Sequence, residues 1–336
     1  MKKYLVTGIT GFAGPHLAEL LVKNQNEVYG LVRATNAREN DIRDILPDNI
    51  YSKINFLYGD LTDSASIDRL FQSQKFDGVF HLAAQSHPPT SFKDPEGTYR
   101  ANVNGTKNIL ESIKKYQRDC ALMFCSTSEV YGAVPEDNGP IKETQPMRPI
   151  NPYGASKAIS DIEVLAAANI KCAPFDIPSF VTRAFSHTGP RRGKNFSISS
   201  DAYQIARIKK GLGEKVISVG TLSSRRAVID VRDCVKAYFQ LMEKAVDRDR
   251  GVIGEAFNVG GDEVYSIGGL LDKMLDISGL REKVEKRVNP EFVRKIDIPV
   301  QVPDSTKLRE ITGWKPLIPI ETTLSDLLDY WYKKIR

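Results

Sequence analysis

The chain has 336 residues, of which 41% are hydrophobic and 26% are charged, a balance typical of a globular protein rather than a disordered one. Its formal net charge of +5 is modest, and basic residues are interspersed with acidic ones, which argues against nucleic acid as a partner. No apolar run reaches the roughly 18 residues of a membrane span, and no signal peptide precedes the first predicted strand. We therefore expect a cytoplasmic protein without membrane attachment.

The cysteines and histidines form no pattern typical of a metal site or of a disulfide framework. The four cysteines are Cys120, Cys125, Cys172 and Cys234, and no two of them form a CxxC pair. The four histidines form no HxxxH pair. We therefore expect reduced thiols and no bound metal.

Strand and helix patterns alternate through the first half of the chain. The predicted strands are Tyr4–Thr7, Glu27–Val32, Ile54–Tyr58, Gly78–Ala84, Ala121–Ser126 and Phe180–Phe185. The predicted helices lie at 13–24, 65–74, 96–116 and 152–168. Nearly continuous apolar strands between helices of this length are typical of a parallel sheet covered on both faces. The pattern predicts an α/β fold with a Rossmann-type, doubly wound parallel sheet and right-handed crossovers.

After residue 185 the alternation loosens, and the remaining sequence predicts a smaller, mixed C-terminal lobe. Further elements are predicted as helices at 199–211, 231–246 and 321–335 and as a strand at Glu255–Val259. We assign residues 1–185 to the cofactor-binding domain, with 226–250 returning to it. Residues 186–225 and 251–336 are assigned to the substrate-binding lobe. Two such units fit a chain of 336 residues at roughly 150 residues per domain.

Three glycines follow the first predicted strand in a GxxGxxG arrangement, and a helix pattern begins directly after them. Gly8, Gly11 and Gly14 allow a tight turn, a close approach of backbone to a pyrophosphate, and close packing of helix on strand. The free N–H groups at the start of the helix favour bound phosphates. Because the glycines lie between a strand and a helix, the sequence predicts a dinucleotide site rather than an ordinary turn.

The end of the second predicted strand indicates which dinucleotide binds. An enzyme that uses NAD places Asp or Glu there, roughly 20 residues after the glycine loop, to bind a ribose hydroxyl. Here the position is Arg33, with Arg38 close behind, and a guanidinium pairs with a 2′-phosphate. This predicts NADP, although Arg33 as a merely solvated residue is the alternative. Asp60, after the third strand, is placed to reach the adenine amino group.

Two further segments carry residues suited to redox chemistry. The motif FCSTSEVYG places polar residues 126–129 at the carboxyl end of the fifth strand, the edge where such sheets bind ligands. The motif NPYGASK supplies Tyr153 and Lys157, which lie four residues apart and so on one helix face. A nearby ammonium and a positive nicotinamide both favour the tyrosinate. Tyr153 is therefore expected to exchange the proton of a substrate hydroxyl during hydride transfer.

With these motifs, and with HLAAQSH and SHTGPRRGKNF, the chain resembles an extended short-chain dehydrogenase/reductase over nearly its whole length. Within that group it resembles the GDP-mannose 4,6-dehydratase family. The resemblance implies that Thr127 hydrogen-bonds the sugar O4 and that Tyr153 is the base there. It implies that Lys157 holds Tyr153 and the nicotinamide ribose. It also implies that Glu129 is the acid/base at C5, with a structural or orienting role as the alternative. Hydride would leave C4, water would be lost, and hydride would return to C6.

Together, the glycine loop, the strand ends and the resemblance predict two sets of binding residues. The cofactor-binding set is Gly8, Thr10, Gly11, Phe12, Gly14, Arg33, Asp60, Leu61, Leu82, Ala83, Ala84, Tyr153 and Lys157. The substrate-binding set is Gln85, Ser86, Ser128, Arg191 and Arg226. Surface charge, or an oligomer contact for Arg191 and its neighbour Arg192, is the alternative for these arginines. His87 is expected to be a wall residue of the pocket.

Two departures from the family pattern leave the exact sugar open and, to a lesser extent, the reaction. Ser186 stands where the dehydratases usually have Asn, and the C-terminal third is more similar to GDP-4-keto-6-deoxy-mannose reductases and GDP-heptose dehydratases. The leading interpretation is an NADP-dependent dehydratase of GDP-mannose or GDP-manno-heptose. A reductase of the 4-keto sugar, a 4-epimerase and a non-catalytic NADP sensor are the alternatives. In dehydratases the segment after Arg33 reaches a neighbouring subunit, so we expect a homo-oligomer, a dimer or a tetramer.

Overall fold

Seven parallel strands form the centre of the molecule in a computed structural model that describes residues 1–33, 42–43, 46–169, 177–293 and 298–335. The strands are β1 (Lys3–Thr7), β2 (Glu27–Val32), β3 (Ile54–Tyr58), β4 (Gly78–His81), β5 (Ala121–Thr127), β6 (Ser179–Ala184), β7 (His187–Thr188), β8 (Val216–Val219), β9 (Arg225–Ala227), β10 (Ile229–Asp230), β11 (Ala256–Val259), β12 (Val264–Ser266), β13 (Glu285–Val288) and β14 (Val300–Gln301). The large sheet has the order β11-β6-β5-β4-β1-β2-β3, and all of its pairs are parallel. The predicted α/β class and parallel sheet are confirmed.

Helices cover both faces of this sheet and build most of the second lobe. They are α1 (Ala13–Lys23), α2 (Asp48–Tyr51), α3 (Ser64–Ser73), α4 (Pro88–Lys93), α5 (Pro95–Tyr99), α6 (Gly105–Tyr116), α7 (Pro152–Asn169), α8 (Ser197–Lys209), α9 (Val231–Val246), α10 (Ile267–Ser278), α11 (Thr306–Thr312) and α12 (Ile320–Lys334). None of the helices in the described ranges has the length and apolar run that crossing a bilayer requires.

The strands are apolar throughout because successive side chains enter two different cores. On β1, Tyr4 and Val6 pack with α1 and α9, whereas Leu5 between them packs with α3 and α6. Side chains alternate across a strand, so a strand buried on both faces needs an apolar residue at nearly every position. The doubly wound arrangement therefore follows directly from the apolar runs.

β4 ends at His81, three residues before the predicted end, because the glycine loop lies against the chain that follows. A Cβ on Gly8 would come within 2.8 Å of the Ala83 nitrogen. The Ala83 N–H donates to the Thr7 hydroxyl at 3.2 Å instead of continuing the ladder. The residues after His81 are therefore cleft-lining loop rather than strand.

The predicted helix at 96–116 is two helices, α5 and α6, joined by the π turn Arg100–Asn104. The carbonyl of Asn102 accepts hydrogen bonds from the hydroxyls of Thr106 at 2.6 Å and Ser160 at 3.1 Å. Side-chain hydroxyls that compete for backbone carbonyls widen a helix locally. The turn also aims the Asn102 side chain at the backbone of Gln85.

The second lobe has its own core, formed by α8, α10 and α12 around β8. Its strands include the mixed sheet β12-β9-β14, in which β12 runs antiparallel and β14 parallel to β9. This confirms the smaller mixed lobe. The sequence assigned β11 to this second lobe, but the structure shows β11 as an edge strand of the large sheet. Helix α9 packs in the core on one face of the same sheet. The remaining division of the chain into lobes stays a prediction.

The segment expected to reach a neighbouring subunit falls largely on residues 34–41 and 44–45, outside the described residues. Arg38 and Cys172 lie outside them as well. The expected subunit contact of this segment therefore stays a prediction.

Candidate active site

One deep cleft of about 1930 Å³ runs along the carboxyl edge of the large sheet and continues into the second lobe. It begins at the glycine loop, passes the ends of β2, β4 and β5, and reaches α8 and β8 at its far end. Every residue of the two predicted binding sets except Arg191 lines it, as do the four predicted catalytic residues. The predicted site residues are thus brought together by the parallel strands, whose carboxyl ends share one edge.

The glycine loop forms a tight cradle in which Gly8 and Gly14 have no room for a side chain. Gly8 has a φ of +71°, and the N–H of Gly11 donates to its carbonyl at 2.9 Å. A Cβ on Gly14 would lie 2.3 Å from the same carbonyl oxygen. Helix α1 begins at Ala13, and no side chain caps its first N–H groups. These unused donors and the close backbone fit the pyrophosphate of a dinucleotide.

Arg33 and Asp60 line the cleft near the glycine loop, where they follow β2 and β3. Arg33 is exposed, so its guanidinium can turn toward a ligand. One oxygen of Asp60 accepts hydrogen bonds from the backbone N–H and from the hydroxyl of Thr62, both at 2.8 Å. This fixed turn orients the Asp60 carboxylate at the end of β3.

Tyr153 and Lys157 lie on α7, which a buried ion pair attaches to the sheet. The Arg183 guanidinium donates two hydrogen bonds of 2.9 Å to Asp161, one helical turn beyond Lys157. Lys157 is buried, and its Nζ lies 4.0 Å from the centre of the Phe124 ring on β5. Helix α7 is thereby held against the strand that ends in Thr127.

Burial is the largest influence on the pKa of both Tyr153 and Lys157. It raises the pKa of Tyr153, while a hydrogen bond with Thr127 and the charge of Arg192 lower it. Burial lowers the pKa of Lys157 to about 8. The pKa of Tyr153 is thus raised rather than lowered as expected, because desolvation favours the neutral phenol, and the charge that opposes this is that of Arg192.

Glu129 is half-buried and lies beside Thr127, whose hydroxyl accepts its backbone N–H at 3.3 Å. The Asn151 amide donates to one Glu129 carboxylate oxygen at 2.9 Å. The Asn151 Oδ1 also accepts the N–H of Gly154 at 2.7 Å, which caps the start of α7. Sequence reasoning missed Asn151, although an Asn directly before a helix is a capping signal.

The substrate side of the cleft includes residues already engaged within the protein. The Gln85 amide donates to Thr98 at 3.0 Å and accepts the His87 N–H at 2.8 Å. The His87 ring lies edge-on to Phe196, 5.9 Å between centres, which is a wall position. Ser128 donates to Gln301 at 3.4 Å, so β14 brings a side chain from the C-terminal third to the end of β5.

Arg191 does not line the cleft, and Arg192 beside it does. Arg191 has a φ of +75°, and its guanidinium faces Glu19 on α1 at 3.8 Å. Because the backbone of Arg191 is left-handed, its side chain points toward α1, whereas the side chain of Arg192 points into the cleft. Arg192 lies over the rings of Phe196 at 3.4 Å and Phe12 at 4.6 Å, and burial lowers its pKa to about 10. The cleft position predicted for Arg191 therefore belongs to its neighbour.

A family model described as GDP-mannose 4,6 dehydratase matches residues 5–327 of the chain. The chain is 30% identical to the GDP-6-deoxy-D-mannose reductase of Pseudomonas aeruginosa, over 100% of this chain and 99% of that protein. It is also 30% identical to GDP-mannose 4,6 dehydratase 1 of Arabidopsis thaliana, over 97% of this chain and 88% of that protein.

The fold is likewise similar to that of a solved structure. RMD from Pseudomonas aeruginosa, complexed with NADPH, superimposes with a TM-score of 0.82 at 28% identity and covers 100% of both chains. The matches confirm the family resemblance indicated by the motifs and the Rossmann-type fold.

Proposed function

Because the chain belongs to the GDP-mannose 4,6-dehydratase family, we propose that it removes water from a GDP-linked mannose or manno-heptose to give the 4-keto-6-deoxy sugar. The observation that carries the proposal is the position of Glu129, a half-buried carboxylate beside Thr127 and anchored by Asn151. A dehydratase needs an acid/base group at C5 in addition to the base at the O4 hydroxyl. Glu129 and Tyr153 supply these two groups in one cleft.

We propose NADP as the cofactor. The three loop glycines would hold its pyrophosphate, and the exposed guanidinium of Arg33 would pair with its 2′-phosphate. The NADPH complex of the Pseudomonas relative supports this assignment. When bound, the nicotinamide accepts a hydride from the sugar and later returns one.

In the proposed first step, Tyr153 takes the proton of the O4 hydroxyl as hydride leaves C4, and Thr127 hydrogen-bonds the same oxygen. Because burial favours the protonated phenol, positive charge must gather around Tyr153 before it acts as a base. Arg192 contributes to that charge in the protein alone, and the nicotinamide adds to it.

In the second step, Glu129 removes the C5 proton, which the new C4 ketone has made acidic, and delivers a proton to the departing C6 hydroxyl. Water leaves and a C5–C6 double bond forms. Hydride then returns to C6, and the proton that Tyr153 took from O4 passes to C5, so Tyr153, Glu129 and the cofactor all end as they began. Asn151 holds one Glu129 oxygen, which leaves the other for the sugar.

The reaction is tested by incubating the purified protein with GDP-mannose, or with GDP-manno-heptose, and a catalytic amount of NADP. Mass spectrometry should show a product lighter by one water. An unchanged mass with both substrates would overturn the proposal.

The role of Glu129 is tested with the variant Glu129→Gln. The amide keeps the shape of the side chain but cannot exchange a proton, so release of water should fall by about 100-fold or more while NADP still binds. Glu282→Gln, at an exposed position of the second lobe, is the matched control and should keep full activity. Turnover by Glu129→Gln at the control rate would show that Glu129 is not the acid/base.

The similarity to the Pseudomonas reductase over the whole chain favours a second candidate, reduction of the GDP-linked 4-keto sugar. The same Tyr153 and Lys157 would serve it, with Tyr153 now donating its proton to the C4 oxygen. Such an enzyme consumes NADPH in equal amount to product, whereas the dehydratase needs cofactor only catalytically. Following NADPH absorbance with each substrate separates the two reactions.

A further inference from the structure

The far end of the cleft holds a buried carboxylate that the mechanism does not use. Asp201 lies on α8, lines the cleft, and is only 4% exposed. Within the described ranges, no protein group donates a hydrogen bond to its carboxylate, and the facing cation, Lys286, is itself paired with Asp272. One turn further along α8, by contrast, both ends of the Gln204 amide are bonded to the backbone of Ser218.

This position is unfavourable for the folded protein on its own. A buried carboxylate without hydrogen bonds has lost its hydration and gained nothing in exchange. Burial accordingly raises the pKa of Asp201 to about 7. A carboxylate that receives no hydrogen bond from the described residues, and that faces a cleft, is suited to accept hydrogen bonds from a ligand.

The walls around Asp201 are suited to a flat ring. Phe292 and Val293 line the same end of the cleft and are 47% and 42% exposed, although both are large and apolar. The Phe292 backbone lies directly on the end of β8, where a Cβ on Gly220 would come within 2.4 Å of its carbonyl oxygen. An exposed aromatic side chain at a cleft wall offers a stacking surface for a planar base.

We propose that Asp201 determines which nucleobase the site accepts, by taking two hydrogen bonds from the N1–H and the N2 amino group of guanine. The proposal rests on the proposed function only in that the substrate is a nucleotide sugar. Guanine presents two adjacent donors that match the two carboxylate oxygens. Uracil presents a single N–H between two carbonyl oxygens that repel a carboxylate, and adenine presents an acceptor at N1. Hypoxanthine keeps the N1–H of guanine but lacks the amino group.

The test is calorimetric titration of the full chain, with NADP present, using GDP, IDP, UDP and ADP. The wild type should bind GDP about tenfold or more tightly than IDP and more tightly still than UDP or ADP. In Asp201→Asn, which replaces one acceptor by a donor, GDP binding should weaken about 10- to 100-fold, the range of a bidentate contact to a base. The ratio of GDP to IDP affinity should then fall to about one. Asp329→Asn, exposed on α12 of the same lobe, should keep the wild-type ratio.

A second variant separates loss of recognition from loss of folding. Asp201→Leu removes the buried carboxylate, so its unfolding midpoint should match or exceed that of the wild type while GDP binding is lost. An undiminished GDP-to-IDP ratio in folded Asp201→Asn, or a wild type that binds UDP as tightly as GDP, would overturn the assignment.

The inference and the proposed function fail separately. If GDP-mannose loses water in the wild type but Asp201→Asn keeps its preference for GDP, the base assignment is wrong and the reaction stands. If Asp201 controls GDP affinity but no substrate loses water, the reaction is wrong and the base assignment stands.

Discussion

Asn151 connects two elements of the candidate site through one side chain. Its Oδ1 caps α7 through Gly154, and its Nδ2 holds Glu129, 22 residues earlier in the chain. The helix that carries Tyr153 and the strand end that carries Glu129 are therefore fixed to each other through a single amide. We regard Asn151 as a positioning residue for Glu129.

The variant Asn151→Asp separates these two contributions. An aspartate caps a helix as well as an asparagine, so the unfolding midpoint should stay close to that of the wild type. Its carboxylate cannot donate to Glu129 and repels it, so kcat should fall about tenfold or more with KM for the nucleotide sugar unchanged. Asn138→Asp, at an exposed turn, is the control. An unaltered kcat in Asn151→Asp would remove Asn151 from the catalytic arrangement.

The sequence predicts those helices and strands that a local residue pattern determines, and it misses features that contacts between distant residues determine. The apolar runs predict the parallel strands, and the motif NPYGASK predicts α7 almost to the residue. The early end of β4 depends on Gly8 lying against Ala83, and the π turn depends on Asn102 and Ser160. Such contacts join residues far apart in the chain and leave no periodic signal.

The same distinction applies to the site. Parallel strands share a carboxyl edge, so the gathering of Thr127, Glu129 and Tyr153 follows from the order of elements. Asp201 escapes sequence analysis because an aspartate in a polar stretch, SISSDAYQ, is typical of a solvated helix face. Only the packing of α8 beneath β8 shows that it is buried.

The outer face of α7 provides a prediction about assembly. Ile159 and Ile162 lie three residues apart, share a helix face, and are 41% and 58% exposed. We propose that this face contacts a second copy of the chain in a homo-oligomer. Ile162→Glu would place a charge in that contact and should shift the mass measured by light scattering toward the monomer. Ile277→Glu, an equally drastic change at an exposed position of α10, should leave the mass unchanged. An oligomer that survives Ile162→Glu would exclude this face.

Three buried histidines make the stability of the folded chain depend on pH. Burial lowers the pKa of His16 and His187 to about 4 and that of His81 to about 3, from 6.5 in the unfolded chain. His81 is held between the hydroxyls of Thr7 and Thr106. Below pH 6.5 the unfolded chain therefore binds protons that the folded chain cannot, and stability is lost as the pH falls.

We predict that the free energy of unfolding decreases from pH 6.5 to about pH 4. The three histidines would together give a slope of at most about 4 kcal/mol per pH unit. Asp201 acts in the opposite direction, because its raised pKa lets the folded chain bind about one proton more than the unfolded chain, which reduces the slope by about 1.4 kcal/mol per pH unit. Urea unfolding at several pH values measures the slope. His16→Asn removes one titrating group, so its slope should be shallower by about 1.4 kcal/mol per pH unit. A free energy that is flat over this range would contradict the prediction.

The large sheet has a consequence for how the protein is made. The edge strand β11 ends at Val259, and α9 covers one face of the large sheet. Both elements are synthesised after strands β1 to β6. Until they leave the ribosome, β6 is an open edge and the apolar face around Phe80 and Met123 lacks part of its cover. About 75 residues separate the end of β6 from the end of β11, which corresponds to several seconds at typical synthesis rates. We expect the nascent chain to bind chaperones during this interval.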